Sequence, residues 1–553
     1  MDETIGRRAA LRSIDDAPEP QRPNVAFEGF NAYAADPTLA AALDASLDEA
    51  TEDALNERGA YFGSAEAQNV ARLATATAPT FRPEDYDGRR IDQIDLHPAT
   101  HALTNRSVAA GLLSSAWEDG EGTNQHRLRA ANLFLTAGLE RAHLLPICHT
   151  HASVAALAYA PDLEAELFPL IAARQYDRRP APTGHKTGAM IALALSERER
   201  EGERGAVRTR GELSAGESAR VTGEKVFVPA PFADYLLTLV RTADGTSAVA
   251  VPRHAEENAA AIRIDGFSNT TGLSAQAITT VRFENARGKI IGEPGRGLQV
   301  MRDVRTLTQL DAAIVSAGTL RGALARCAHI LRTRTVAGRP LLNDPSFARV
   351  LADLALTSAG LTALSLRLAG AFDRAFERDG DHAVARILTP AARLFCARAG
   401  AAAALEIREC AGVPALSADH PLARAVADLG LLPLFDPGGD PAADLSALLA
   451  RDQNVLVDAL DELGTDLGTQ NHDLVERTMT VGREAASDPG LTRAFVDQFA
   501  MVAAASAMRR NLPRVVSDAF IASRLRGGYT THAGTLDSRF DPTALIDFIV
   551  PDD

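Results

Sequence analysis

Residues 271–297 read TGLSAQAITTVRFENARGKIIGEPGRG, and two regions of different pattern meet in this stretch. From Ile278 to Phe283, β-branched and aromatic residues alternate in the way that is typical of a strand. From Gly297 onward, apolar residues recur at helical spacing almost to the C-terminus. The stretch therefore predicts a change from an all-β region to a helical region.

Upstream of this stretch, short runs of β-branched and aromatic residues begin near Lys186 and are broken by turn-forming residues. They predict a small β domain of sandwich or barrel type over residues 186–296. Before Lys186 the apolar residues recur at helical spacing, and strand-like alternation is scarce. We therefore expect an α-helical first domain over residues 25–185, preceded by a tail at residues 1–24.

Downstream, one apolar stripe predicts a long helix that buries a single face in a bundle, and it consists of Val350, Leu354, Leu361, Leu364, Leu368 and Phe372. The segment from Pro433 to Pro441 is rich in Gly, Asp and Pro and predicts a domain boundary. The helical bundle is thus expected over residues 297–440, with an extra helical domain over residues 441–553. The predicted fold class is an α+β multidomain protein.

Composition excludes several classes of function. The 553 residues are 46% apolar and 23% charged, as in globular proteins, and no apolar run is long enough to predict a membrane helix. The net charge of -15 opposes nucleic-acid binding. The cysteines lie far apart without a CxxC pair, so we expect no zinc site, no disulfide framework and a cytoplasmic location.

Several short motifs resemble the acyl-CoA dehydrogenase superfamily, and most closely its alkylation-response (AidB-like) branch. They are Tyr86 to Asp92, Leu96 to Ala99, Ala116 to Glu118 and Arg386 to Arg393, together with the opening stretch. The resemblance covers most of residues 25–440. It implies a helical domain, a small β domain and a helical bundle in that order, with an extra C-terminal domain.

The resemblance also implies an FAD site between the β domain and the bundle, and we interpret its motifs here as degenerate. Ser196 keeps the family's hydroxyl in the first motif, but a charged run from Arg198 to Arg204 replaces a glycine-rich turn. Phe227 is kept in the second motif. There Val226 replaces a stacking Trp, and Pro229, which has no backbone N–H, replaces a hydroxyl residue.

Two further motifs of the family contact the cofactor from the bundle. Arg334 matches an Arg that reaches the cofactor of the neighbouring subunit, but Ala337 replaces the Phe that follows it. Gly412 lies in the motif that brings the backbone close to the dinucleotide, and Glu409 there adds a carboxylate that opposes another anion. We therefore predict that FAD binds weakly or not at all.

Family members need a carboxylate that removes the α-proton of an acyl thioester. Asp436 is the nearest match to the family's loop position for this base. Asp311 lies three residues beyond Thr308, which matches an alternative position on the first bundle helix. We nominate Asp436 and Asp311 as catalytic candidates. The alternative interpretations are a turn-forming Asp before Pro437 and an Asp on the helix surface or bridging the core.

His149 and His151 lie in the run PICHTH, residues 146–151, at a place that resembles an apolar motif near the family's substrate cavity. Residues two apart do not share a helical face, so we do not interpret the pair as a metal site. Two interpretations stay open. The histidines are either semi-buried with satisfied hydrogen bonds, or one of them transfers a proton in a repurposed pocket.

Three functions from different classes follow. The first is a non-catalytic or weakly flavin-binding subunit that pairs with an active acyl-CoA dehydrogenase homologue or forms a homo-oligomer. The second is an enzyme on an acyl thioester, either flavin-dependent or without redox chemistry. The third is a DNA-protective role, which conflicts with the charge, because the region beyond Pro441 has no lysine and more acids than arginines.

Overall fold

The computed structural model describes residues 25–43, 47–118, 124–198, 207–214, 218–437, 439–527 and 532–552. The predicted tail at residues 1–24 and most of the charged run after Arg198 lie outside the described residues. Along the described chain the elements are mainly helical, then β, then helical again. This order confirms the predicted fold class, while the exact domain boundaries stay a prediction.

Helices dominate the first region, and side-chain caps define several of their ends. The helices are α1 (Pro37–Leu43), α2 (Glu49–Gly63), α3 (Ala65–Ala76), α4 (Pro98–Ala109), α5 (Gln125–Leu139), α6 (Leu144–Leu157) and α7 (Pro161–Ala172). Ser64 separates α2 from α3, and its hydroxyl accepts a hydrogen bond from Ala67 N at 3.1 Å. Helix α6 is buried over almost its whole length, which places His149 and His151 inside the protein.

A two-stranded hairpin that the sequence analysis did not predict lies between α3 and α4. Its strands are β1 (Thr80–Glu84) and β2 (Arg90–Asp95). In the turn, the carboxylate of Asp85 accepts hydrogen bonds from Asp87 N and Arg89 N, both at 2.9 Å. Most residues of the hairpin are exposed, so its strands lack the apolar alternation that predicts a strand.

The β region is one seven-stranded sheet that closes on itself. Its strands are β3 (Ile191–Ala194), β4 (Arg210–Ser214), β5 (Ser218–Pro229), β6 (Tyr235–Thr242), β7 (Gly245–Pro252), β8 (Ile262–Phe267) and β9 (Ile278–Ile291). Strand β6 pairs with both β4 and β7, and the ring continues through β5 and β9. Strand β3 joins β6 and β8 joins β9 at the outside of the ring. The region is therefore a small barrel, one of the two predicted forms.

The bundle consists of α8 (Gly297–Thr333), α9 (Pro345–Arg374), α10 (Asp379–Ala411) and α11 (Pro421–Leu429), with a short hairpin of β10 (Thr335–Val336) and β11 (Arg339–Pro340) after α8. The predicted stripe lies on α9, where Leu354, Leu361, Leu364 and Leu368 are buried. Contrary to the expectation from the sequence, α9 is long and apolar enough to span a membrane by length and composition alone, but 78% of its most apolar window is buried by the rest of the protein. That burial fits a core helix of a bundle.

The C-terminal region adds further helices to the outside of this bundle. They are α12 (Pro441–Arg451), α13 (Asn454–Leu467), α14 (His472–Ser487), α15 (Thr492–Asn511), α16 (Arg514–Phe520) and α17 (Pro542–Ile549), with a π-helical turn at Ile521–Arg526. Helices α15 and α17 pack against α9, and α13 packs against α10. Leu445 and Leu449 of α12 and Leu456, Leu460 and Leu463 of α13 are buried.

Helix α8 touches the backbone of the barrel at one end and the backbone of α5 further along. A Cβ atom at Gly297 would lie 2.4 Å from Ala248 N of β7. A Cβ atom at Gly322 would lie 2.3 Å from Gly138 O of α5. No side chain fits at either contact, so the glycines allow α8 to pack directly on both neighbours.

A buried ion pair also joins α5 to α8. The guanidinium of Arg129 donates to both carboxylate oxygens of Asp311 at 2.6 and 2.8 Å, and its Nε donates to Leu112 O at 2.9 Å. The side chains of Arg129 and Asp311 are 2% and 0% exposed, so neither charge has water to replace its partner. Removing one partner leaves the other charge buried and uncompensated.

We expect Asp311→Asn to lower the free energy of unfolding by about 3–5 kcal/mol, because Arg129 would remain buried without a counter-charge. Urea unfolding followed by far-UV circular dichroism measures this loss. Glu293→Gln is the matched control, since it removes an exposed pair with Arg296 and should cost less than about 1 kcal/mol. Equal losses for the two variants would contradict a stabilising role of the Arg129–Asp311 pair.

Candidate functional site

The first predicted cofactor residue, Ser196, follows β3 and lies against β5. Its carbonyl accepts a hydrogen bond from Val226 N at 2.9 Å, so the first two flavin motifs are neighbours in space. Val226 is almost fully buried, whereas Phe227 is 46% exposed. Phe227 has φ of +52° at an irregularity of the β5–β9 pairing, a strained conformation for a bulky residue.

The residue after Ser196 enters a buried ion pair inside the barrel. The carboxylate of Glu197 lies 2.7 Å from Lys225 Nζ and also accepts hydrogen bonds from Thr209 N and Thr209 Oγ1. Burial opposes ionisation of Glu197, but Lys225 and these hydrogen bonds outweigh it and lower the pKa of Glu197 to about 2. Lys225 is 0% exposed, and it also donates to Leu239 O at 2.9 Å. Both charged groups are therefore committed to each other.

The other two predicted cofactor residues, Arg334 and Gly412, lie together at the far end of the bundle. Arg334 Nη1 lies 3.5 Å from Ala411 O, and a Cβ atom at Gly412 would lie 3.0 Å from Arg334 Nη1. Arg334 is twenty-six residues beyond Thr308 on α8, about 39 Å along a helix axis. Within one chain the structure therefore forms two separate pairs, Ser196 with Phe227 and Arg334 with Gly412.

Asp436 lies in the bundle near its junction with the barrel, two residues beyond a helical turn at Leu432–Leu434. It is buried, and its Oδ1 accepts a hydrogen bond from Thr308 Oγ1 at 3.3 Å. The two sequence positions that match the family's alternative bases, one on a loop and one on α8, thus meet in space. Asp311, by contrast, points to Arg129 and bridges the core, which is one of the interpretations left open by the sequence.

The carboxylate of Asp436 lies near two arginines but forms no hydrogen bond with either of them. Arg393 Nε lies 3.6 Å from its Oδ2, and Arg305 Nε lies 4.0 Å from its Oδ1. Asp436 Oδ2, Arg393 Nε and Arg305 Nε are buried without a hydrogen-bond partner among the described residues. Burial raises the pKa of Asp436, although Arg305 and Arg393 oppose this. A buried carboxylate with a free oxygen is a chemically suitable proton acceptor.

His149 bridges the barrel and the bundle at the same junction. Its Nδ1 accepts from Leu193 N of β3 at 3.4 Å, and its Nε2 donates to Leu434 O at 3.1 Å. The ring is 0% exposed, and burial lowers the pKa of His149 to about 4, so the imidazole is neutral near pH 7. A neutral ring with one donor and one acceptor satisfies both backbone groups.

His151 points away from His149, toward a different cluster. Trp117 Nε1 donates to His151 Nδ1 at 3.1 Å, and the ring of His126 lies next to both. His151 Nε2 is buried without a partner among the described residues. Burial, with smaller contributions from Arg129 and His126, lowers the pKa of His151 well below its usual value. The two histidines therefore belong to separate environments.

Sequence reasoning did not assign Arg305 and Arg393 to the site. Arg393 closes the motif Arg386 to Arg393, which carries part of the family resemblance. Arg305 precedes Thr308 by less than one helical turn, so helix geometry could have placed it beside that residue. The contact of both arginines with Asp436 depends on how the loop folds back, and no local pattern encodes that.

Comparison with known proteins identifies the family. Residues 23–178 match the model of the adaptive response protein AidB N-terminal domain, and residues 295–439 match the acyl-CoA dehydrogenase C-terminal domain. The AidB protein of Escherichia coli is 30% identical over 421 residues, which are 75% of this chain and 77% of that protein.

Solved structures agree in fold. Caenorhabditis elegans ACDH-11 in complex with C11-CoA superposes with a TM-score of 0.80 at 18% identity, over 96% of this chain and 93% of that chain. The acyl-CoA dehydrogenase complexed with FAD from Bacillus anthracis gives a TM-score of 0.60 at 16% identity, over 75% of this chain and 76% of that chain. This chain belongs to the acyl-CoA dehydrogenase family, in the branch of the adaptive response protein AidB.

Proposed function

We propose that this protein is a cytoplasmic, acyl-CoA dehydrogenase-like subunit with a degenerate flavin site, which binds FAD weakly or not at all. In this proposal it acts by pairing with an active homologue rather than by catalysis of its own. The observation that carries the proposal is the bridge made by His149. Its buried ring hydrogen-bonds to Leu193 of the barrel and Leu434 of the bundle, across the junction where the family resemblance implies a flavin.

The residues that match the family's flavin motifs offer few contacts to a flavin ring. Val226 stands where a stacking aromatic is expected, and Pro229 has no N–H to donate. Glu197 is committed to Lys225. A lost hydrogen bond is worth about 0.5–1.5 kcal/mol and a lost aromatic stack about as much. The motif residues that depart from the family's pattern account for four or five such losses. Together these losses total about 4–6 kcal/mol, which would weaken FAD binding by roughly three to four orders of magnitude.

A group of exposed apolar side chains supports pairing with another subunit. Arg334 and Gly412, which match the family's contacts to a neighbouring subunit's cofactor, lie beside apolar side chains that face solvent. Val336 is 58% exposed, Val413 79% and Leu416 60%. Grouped exposed apolar residues are typical of protein interaction surfaces. We therefore place the subunit contact at this end of α8 and α10.

Asp436 favours a second candidate, an enzyme that acts on an acyl thioester with FAD held by altered contacts, or without redox chemistry. Its buried carboxylate has one oxygen without a hydrogen-bond partner among the described residues, and burial raises its pKa. Both properties suit a general base. A DNA-protective role has no such support, because the chain carries a net charge of -15.

The visible absorption spectrum of the purified protein, with and without added FAD, tests the leading proposal. We expect no flavin bands near stoichiometric occupancy. Pro229→Thr restores a backbone donor and a hydroxyl and should strengthen FAD binding about two- to tenfold, as one hydrogen bond would. Pro252→Thr, at the end of β7, is the control and should change nothing. Stoichiometric flavin in the unmodified protein would overturn the proposal.

Exchange of substrate α-protons with solvent distinguishes a non-catalytic subunit from an enzyme. In D2O without FAD, we expect the α-protons of butyryl-CoA to exchange no faster with the protein than without it, as followed by proton NMR. Exchange that is lost in Asp436→Asn but kept in Asp444→Asn, a nearby and more exposed carboxylate, would instead establish Asp436 as a base.

Association tests the proposed contact surface. We expect sedimentation velocity to show an assembly larger than a monomer, and Val413→Glu to weaken it at least tenfold, because a charge would be buried in an apolar contact. Leu298→Glu, at the opposite end of α8 and 59% exposed, is the matched control. Assembly that resists Val413→Glu would place the interface elsewhere.

A further inference from the structure

A cavity of about 420 Å³ lies beside the C-terminal half of α8, away from the barrel–bundle junction. Helices α5 and α8 form its floor where they meet at Gly138 and Gly322, and the segment after residue 25 and the C-terminus form its walls. Arg326, on its wall, is eighteen residues beyond Thr308, about 27 Å along the helix axis. Its volume is in the range of sites for small molecules.

Part of the cavity lining is apolar. Phe27, Phe30, Phe62 and Phe134 line it, and the rings of Phe27 and Phe30 stack at 4.3 Å. Phe62 and Phe134 belong to the protein core and are 5% and 1% exposed. Phe27 and Phe30 are half-buried, so these two rings provide most of the apolar surface that is open to a ligand.

The cavity is also lined by arginines whose donors are incompletely used. Arg326 Nη2 donates to Gln68 Oε1 at 2.6 Å, and its guanidinium lies 4.7 Å from the centre of the Phe27 ring. No carboxylate pairs with Arg326 among the described residues. Burial, reinforced by the charge of Arg141, lowers the pKa of Arg326 to about 10. An anion would remove the electrostatic cost of this charge.

Arg321 adds a second donor to the same cavity. It is 7% exposed, and its Nε and Nη2 are bound to Asp36 and Ala35 O at 2.9 and 2.5 Å. Its Nη1 is buried without a hydrogen-bond partner among the described residues. A buried donor without a partner calls for a physical explanation, and a bound anion that accepts its hydrogen bond is one such explanation.

The acids that line the cavity do not neutralise Arg326. Asp552 is 85% exposed and lies 3.5 Å from Arg332, so its charge is already paired. Glu28 is exposed. His329 Nε2 is bound to Val25 O at 2.9 Å. The positive charge of Arg326 thus remains available on the inner wall.

We propose that this cavity binds an amphipathic anion, a chain-like apolar group that ends in a carboxylate or a phosphate. The apolar group packs against the phenylalanines, while the anionic head accepts hydrogen bonds from Arg326 and from Nη1 of Arg321. Guanidinium groups suit both head groups because their paired N–H donors match two anionic oxygens.

Isothermal titration calorimetry with the full-length protein tests this site, using dodecanoate, dodecyl phosphate and neutral dodecan-1-ol below their aggregation concentrations. We expect at least one of the two anions to bind, and at least tenfold more tightly than the alcohol. Preference for dodecanoate or for dodecyl phosphate identifies the head group. Failure of both anions to bind, or equal binding of the alcohol, would overturn the proposal.

Single substitutions test whether the anion binds in this cavity. Arg326→Met should weaken binding of the anion at least tenfold. Ala325→Leu, which fills the cavity without changing its charge, should weaken binding as well. Arg302→Met, on an exposed part of α8, is the control and should bind like the unmodified protein. Arg326→Met should melt no lower than the unmodified protein, because it removes an unpaired charge. Unchanged binding in a folded Arg326→Met variant would refute the site.

Discussion

Helix α8 must pack directly on two different neighbours, and the rest of the structure depends on this constraint. Its first residue, Gly297, lies against the backbone of β7, and Gly322 lies against the backbone of α5. Between these contacts the buried pair of Arg129 and Asp311 fixes the rotation of α8 relative to α5. Because one rigid helix makes all three contacts, the barrel, the first helical region and the bundle are held in a single arrangement.

This arrangement brings buried polar groups together at the barrel–bundle junction, where their environment decides their chemistry. His149 is neutral because burial outweighs its backbone hydrogen bonds, and a neutral ring can bridge two backbone groups without a counter-charge. Asp436 is held between two arginines at distances too long for hydrogen bonds. The first group gains stability from its setting, whereas the second retains unused bonding capacity. The proposals of a degenerate flavin site and of a residual base rest on this difference.

Local charge also matters more than net charge in this protein. The chain carries -15 overall, yet the cavity contains one guanidinium group, that of Arg326, with no carboxylate partner among the described residues. Buried interactions are screened much less than surface ones, so a distant surplus of exposed acids contributes little there. The net charge therefore opposes binding of a polyanionic partner, whereas the cavity favours binding of a single small anion.

The sequence by itself determined the order of helical, β and helical regions, because periodicity and turn residues are local properties of the chain. It missed the β1–β2 hairpin, whose exposed strands carry no apolar alternation. It also predicted the family from short motifs, and the comparisons confirm that family.

Only the tertiary structure decided which functional groups meet. Thr308 and Asp436 are 128 residues apart in the chain, Arg129 and Asp311 are 182 apart, and His149 and Leu434 are 285 apart. Side-chain contacts over such separations depend on the packing of several elements at once. A single sequence encodes that packing in the combined burial of many residues, and no local pattern around any one of these groups records it.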